Sequence, residues 1–156
     1  MNVGVSSAAL ASIVCLAVAI GVLFRRPYRS LYTRFAAFCS ALFLWHGAAF
    51  VSHLWPDRWP SLQNLAALLI PPTLILFFGE MMRDHGRYIQ QLIRSSLALT
   101  FLFFLVTLTP LHNTFIVEFL LAVYVIGVGV AVLKLLHNHL AEATSETERT
   151  RLRLVF

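Results

Sequence analysis

Five long apolar segments alternate with short polar connections along the chain. They run over residues 5–24, 35–54, 62–82, 95–109 and 114–136. A helix needs about 20 apolar residues to cross a hydrocarbon core of roughly 30 Å. Only the fourth segment is shorter, and it reaches that length if its helix begins near Tyr88 and Arg94 extends to the interface. The pattern predicts an all-α membrane protein, a bundle of five transmembrane helices, with residues 137–156 as a polar linker and the start of a possible sixth span.

The third apolar segment is interrupted at its centre by two adjacent prolines, Pro71 and Pro72. Proline lacks a backbone donor and clashes with the preceding turn, so the helix must kink and the carbonyls near Ala67 and Leu68 need other partners. In lipid, those partners come from a neighbouring helix, a side chain or buried water. We therefore expect the third span to be an interior element of the bundle, with the two prolines as a pivot.

The composition belongs to the membrane class, since 59% of the residues are apolar against about half in soluble domains. The net charge of +5 does not indicate a nucleic-acid partner, because all of the 12 lysines and arginines except Arg58 fall on one side of the five-span arrangement. Basic residues concentrate on the cytoplasmic side of a membrane. We expect a multi-pass membrane protein in contact with the lipid bilayer, with its N-terminus outside and residues 137–153 in the cytoplasm.

Arginines at the cytoplasmic side and tryptophans at the outer turn are expected to anchor this topology. The anchors are Arg25, Arg26, Arg29, Arg34, Arg83, Arg87, Trp55 and Trp59.

Ionisable residues within the spans are functional candidates, because holding them in a membrane costs free energy. Glu118 lies about one turn into the fifth span, where it is either buried among helices as a ligand or proton site or reaches the outer interface. Glu80, near the inner end of the third span, is expected to form a local ion pair with Arg83 or Arg87. The candidate sensing residues of the outer half are His46, His53, Asn64, His112 and Glu118.

His46 and His53 are seven residues apart, which places them on one helix face about 10 Å from each other. Metal ligands on neighbouring turns need a spacing of three or four, and haem with two histidine ligands needs them on different helices. No metal, haem or other cofactor is therefore predicted. The sequence also lacks phosphate-binding, zinc-protease, Cys-x-x-Cys and nucleophile-elbow motifs, so we expect no catalytic site within these residues.

Three features suggest a family. The first span is followed by the arginine-rich connection of residues 25–34, the second ends at a turn with tryptophan and proline, and Glu148-Arg149-x-Arg151-Leu152-Arg153 leads into an apolar run. Together with the proline-bearing third span, these features resemble the seven-helix N-terminal sensory region of bacterial membrane histidine kinases and related signalling proteins. The resemblance covers essentially the whole chain.

The resemblance implies a bacterial inner-membrane protein with a sensory or membrane-anchoring role in two-component signalling. It also implies a homodimer or other membrane partners, and five of seven spans. A histidine kinase or other output domain would then lie beyond residue 156. Neither His137 nor His139 lies in a phospho-acceptor motif, so the resemblance assigns them no such role.

Two functions of other classes remain open at this stage. One is a small accessory subunit of a membrane complex, which an immediate stop codon after Phe156 would favour. The other is half of a transporter or channel, which needs a line of polar residues through the bundle. The scarcity of charge in the middle of the spans argues against this second alternative.

Overall fold

The computed structural model of the protein describes residues 3–25, 29–55, 62–82, 87–107, 109 and 115–142. In these residues the helices are α1 (Val3–Leu23), α2 (Ser30–Leu54), α3 (Leu62–Ala67), α4 (Ile70–Met82), α5 (Arg87–Thr107) and α6 (Phe115–Glu142). Helices α3 and α4 together form one span, so that five helical segments are long and apolar enough to cross a membrane. The predicted all-α fold with five candidate transmembrane helices is confirmed.

Three helices extend beyond the apolar segments that predict them. Helix α2 begins at Ser30, α5 begins at Arg87, and α6 continues to Glu142. His137 is therefore part of a helix, where the sequence predicts a linker. Hydropathy marks only the apolar part of a helix, whereas backbone hydrogen bonds continue through polar residues whose long side chains reach out of the apolar layer. The possible sixth span lies outside the described residues.

The span formed by α3 and α4 is the interior element of the bundle, as its prolines predict. In its most apolar window 56% of the residues are buried, against 11–22% in the other four spans. Helices α2, α5 and α6 all pack against it. The buried cluster at its centre consists of Ala67, Leu68, Ile75, Leu121, Tyr124, Val128 and Val132.

Helix α1 packs against α2 through small residues. The Ser12 hydroxyl donates a hydrogen bond to the Phe43 carbonyl at 3.3 Å. A Cβ atom at Gly47 would lie 3.4 Å from the same hydroxyl oxygen, and Ala48 is buried beside it. Small side chains let two helix backbones approach closely in a membrane, where packing and not water exclusion drives association.

Helices α4 and α5 approach each other closely at Gly79. A Cβ atom at this glycine would lie 3.3 Å from Cγ2 of Ile89, and Ile89 is only 3% exposed. The G79V substitution should therefore lower the free energy of unfolding by about 1 kcal/mol through overpacking. Unfolding in detergent micelles with increasing sodium dodecyl sulfate measures this change.

The matched control is G127V in α6, because no atom of another described helix lies within 4 Å of a Cβ placed at Gly127. Both substitutions replace a helical glycine with valine, so their difference isolates the packing at Gly79. Equal stabilities of the two variants would contradict a close contact between α4 and α5.

Candidate functional site

A cavity of about 450 Å³ lies between α2, α3, α4 and α6. It is at the end of the bundle where α2 ends and where α3 and α6 begin, called here the α2–α3 end. Most of its lining is aliphatic, and the other lining side chains are Trp45, Gln63, Asn64 and Glu118. The volume is within the range of small-molecule sites in proteins, about 300–1,000 Å³.

Two of the sequence-predicted sensing residues, Asn64 and Glu118, meet in this cavity, and Gln63 joins them. Asn64 and Gln63 belong to the first turn of α3, and Glu118 belongs to the first turn of α6. Among the residues that the structure describes, none of these three side chains forms a hydrogen bond or ion pair. Their polar groups are thus available to an occupant of the cavity.

The predicted histidines do not line the cavity. His53 is exposed, and its Nδ1 donates a hydrogen bond to the Ala49 carbonyl of its own helix at 2.7 Å. The ring of His46 lies against that of Trp45, with 4.8 Å between the ring centres. His112 lies outside the described residues, and within those residues no three histidine, cysteine or acidic side chains cluster as metal ligands.

The break between α3 and α4 exposes a backbone carbonyl, and a neighbouring helix supplies its donor. Pro72 has no N–H for the Leu68 carbonyl four residues earlier. Thr100 of α5 donates its hydroxyl to that carbonyl at 3.3 Å. The prediction that a carbonyl freed by the prolines finds a partner on another helix is met at Leu68.

Thr100 is one member of a polar network that joins α5 and α6 at the break. Its Oγ1 lies 3.1 Å from the Tyr124 hydroxyl oxygen. That oxygen is 2.7 Å from Oγ of Ser96 and donates to the Ser96 carbonyl at 2.9 Å. Ser96 and Tyr124 are both buried. The network therefore satisfies polar groups that would otherwise be costly in an apolar interior.

The sequence analysis does not single out Ser96, Thr100 or Tyr124. One signal was present: Ser96 and Thr100 are four residues apart, which places two hydroxyls on one face of an apolar span. Their meeting with Tyr124 depends on how α5 and α6 lie around α4, which no spacing along the chain reveals.

A second polar contact joins the opposite end of α4 to α2. Glu80 Oε2 lies 3.3 Å from Nη2 of Arg34, and Glu80 Oε1 accepts a hydrogen bond from the Ser30 hydroxyl. Arg34 also donates from Nη1 to the Leu76 carbonyl at 3.4 Å. Sequence spacing predicts a local partner for Glu80, Arg83 or Arg87. Arg83 lies outside the described residues, and the structure joins Glu80 to Arg34 on another helix. Arg34 is therefore a bridge within the bundle as well as a topology anchor.

Four other anchors, among the residues that the structure describes, lie at or near helix ends. The Arg25 guanidinium lies 5.6 Å from the ring centre of Tyr32, in a cation–π contact. The other three of these anchors are exposed as well. Arg29 and Trp55 adjoin the two ends of α2, and Arg87 begins α5. The remaining three lie outside the described residues: Arg26, Trp59 and Arg83.

Five membrane-length helical segments, of which the broken third span is the most buried, define a multi-pass membrane protein. Comparison with protein-family models, curated proteins and solved structures finds no match for the chain. Its function is therefore inferred from its own residues and contacts.

Proposed function

We propose that the chain is the membrane-embedded sensory module of a bacterial signal-transduction protein, which passes a stimulus by helix movement to a cytoplasmic output domain beyond residue 156. One observation carries the proposal. The cavity is lined by Ala67 and Ile70, the last residue of α3 and the first residue of α4. An occupant of the cavity therefore contacts both halves of a broken helix, and a broken helix can change its angle without losing its own hydrogen bonds.

The polar network beside the break supports this role. The hydroxyls of Ser96, Thr100 and Tyr124 carry three protons, and they make four contacts with each other and with two backbone carbonyls. Because each proton serves one contact at a time, the network has more than one arrangement of donors. A cavity occupant that favours one angle between α3 and α4 would select among these arrangements.

The path from the cavity to the opposite end of the bundle runs along α4. Glu80 is ten residues beyond Ile70, which is about 15 Å along a helix axis. There the Phe77 ring lies 5.1 Å from that of Phe35 and 6.2 Å from that of Phe38. The ion pair with Arg34 adds a charged link at the same level. A displacement of α4 would therefore move the start of α2, which follows the arginine-rich connection that we expect to face the cytoplasm.

A fluorine label at position 77 tests this coupling. Trifluoromethylphenylalanine replaces Phe77, and its ¹⁹F resonance reports the packing of α4 on α2. The A122W substitution fills the cavity and serves as a surrogate stimulus, since Ala122 lines it. We expect A122W to shift or split the resonance, whereas V130W on the exposed face of α6 leaves it unchanged. An unchanged resonance in A122W would overturn the proposed function.

The two prolines provide the second arm of the test. The P71A/P72A double substitution restores two backbone donors, so the break should close into a continuous helix. The response of the Phe77 label to A122W is then expected to disappear. A full response in the proline-free protein would show that the pivot is not needed for coupling.

A further inference from the structure

We propose that the cavity at the α2–α3 end binds an amphiphile with a positively charged amine as its head and an apolar body. This inference rests on the proposed function, because it names the chemical class of the stimulus. The first observation that supports it is the charge of the side chains that line the cavity. Glu118 is the one ionisable side chain among the lining residues that the structure describes, and no arginine, lysine or histidine lines the cavity with it.

A carboxylate at the edge of an apolar layer is stabilised by a cation that reaches it. Gln63 and Asn64 add side-chain carbonyl oxygens to the same cavity. An ammonium group has three N–H donors and no acceptor, so a carboxylate and two amide oxygens match its hydrogen-bonding needs. An anionic head would meet the charge of Glu118 with no cation among the described lining residues to offset it.

Trp45 contributes a further group that favours a cation. Its indole lines the cavity, and an aromatic face attracts an ammonium within about 6 Å of its centre. The aromatic, amide and carboxylate groups of the lining thus all favour a positively charged head. No second acidic residue is needed for a single positive charge.

The rest of the cavity fits an apolar body. Along α6 its lining continues from Glu118 through Leu121 and Val125 to Ile126, about 12 Å along the helix axis. Ile126 lines the cavity and is also 65% exposed. The cavity is therefore open along α6 toward the lipid, and a molecule already dissolved in the bilayer can enter it sideways with its head at the level of Glu118.

Two sources share this chemistry: an aminophospholipid such as phosphatidylethanolamine, and a free lipophilic amine. The test uses the full chain with Trp55 and Trp59 replaced by phenylalanine, in phosphatidylcholine nanodiscs. Trp45 fluorescence then reports contact with a bromine-bearing alkylamine. The neutral comparison is the brominated alcohol of equal chain length.

We expect the amine to quench Trp45 at a concentration at least about tenfold lower than the alcohol, as one charge-assisted hydrogen bond provides. In E118Q this preference should vanish, because glutamine keeps the shape of the side chain and removes its charge. E118D, which keeps the charge, should retain a preference. The control K134Q changes an exposed charge of α6 that does not line the cavity, and it should behave like the parent.

Equal quenching by amine and alcohol, or a preference that persists in E118Q, would overturn the assignment. Adding phosphatidylethanolamine to the nanodiscs separates the two sources. Competition with the alkylamine identifies an aminolipid as the occupant, whereas an unchanged titration identifies a free amine.

The quenching test of the binding site and the Phe77 label test of the proposed function can fail independently. Amine-selective quenching without a shift of the Phe77 label would keep the binding site and reject the sensory role. A Phe77 response to A122W without amine selectivity would do the reverse.

Discussion

Replacement of Arg34 by leucine is expected to lower the free energy of unfolding by about 2 to 3 kcal/mol. The substitution leaves the Glu80 carboxylate, whose side chain is 17% exposed, without the guanidinium 3.3 Å away. Breaking a fully buried ion pair costs about 3–5 kcal/mol. The Arg34 side chain is 37% exposed, so water reduces that cost. The Leu76 carbonyl loses a donor as well.

Unfolding by sodium dodecyl sulfate in micelles measures the change, and R94L is the matched control. Arg94 is an exposed arginine of α5, so its replacement removes a charge without breaking the bridge between α2 and α4. The double variant R34L/E80L should be more stable than the sum of the two single losses predicts, because both single variants lose the same bridge. A loss in R34L no larger than in R94L would mean that the bridge does not stabilise the bundle.

The second large effect is expected at the break in the third span. T100V should lower the free energy of unfolding by about 1 to 2 kcal/mol, at the upper end for hydrogen bonds between membrane helices. Valine keeps the shape of threonine and removes the donor to the Leu68 carbonyl. That carbonyl has no backbone donor from Pro72, so it is left unsatisfied in an apolar interior.

The same micelle titration measures this loss, and T73V serves as its control. Thr73 of α4 is half-buried like Thr100, and its hydroxyl donates to the Leu69 carbonyl at 2.7 Å. The Leu69 carbonyl also accepts the backbone N–H of Thr73 at 3.4 Å. Because this carbonyl keeps its backbone donor, T73V should cost much less than T100V.

A proline substitution tests the cause of the T100V effect. P72A restores the N–H that α-helical geometry directs at the Leu68 carbonyl. In the P72A background, the cost of T100V should therefore fall toward that of T73V. An undiminished cost of T100V in this background would mean that Thr100 does not compensate for the missing donor of Pro72.

The interior position of the third span follows from its residues alone. Pro71 and Pro72 leave carbonyls that only a protein neighbour or water can satisfy in lipid, and the structure places this span at the centre. The donor itself did not follow from the sequence. Any hydroxyl on a neighbouring helix could serve Leu68, and the choice of Thr100 depends on the rotation and depth of α5 against α4.

The candidate site was likewise predictable from the sequence only in part. Asn64 and Glu118 are polar residues near the expected outer end, and this position alone identifies them as candidates. Their meeting with Trp45 and Gln63 in one cavity requires α2, α3 and α6 to converge. His46 and His53 satisfy the same sequence criterion, yet neither lines the cavity, because the faces of α2 that carry them are set by packing and not by depth.

Glu80 shows that a bundle supplies partners that spacing along the chain does not predict. Arginines three and seven residues away are the natural expectation on a single helix, and Arg34 comes to the same level from an antiparallel part of α2. Helices that cross one apolar layer bring together residues far apart in the chain. Their vertical register decides which charges meet.

By itself, the sequence determined the class of this protein, because apolar length, proline chemistry and the cost of unsatisfied backbone groups in lipid are local properties of a segment. It determined five helical spans and the break in the third. The tertiary structure alone decided the cavity, the hydroxyl network and the ion pair between α2 and α4. Each of these depends on the rotation and register of whole helices, which small differences in side-chain packing select.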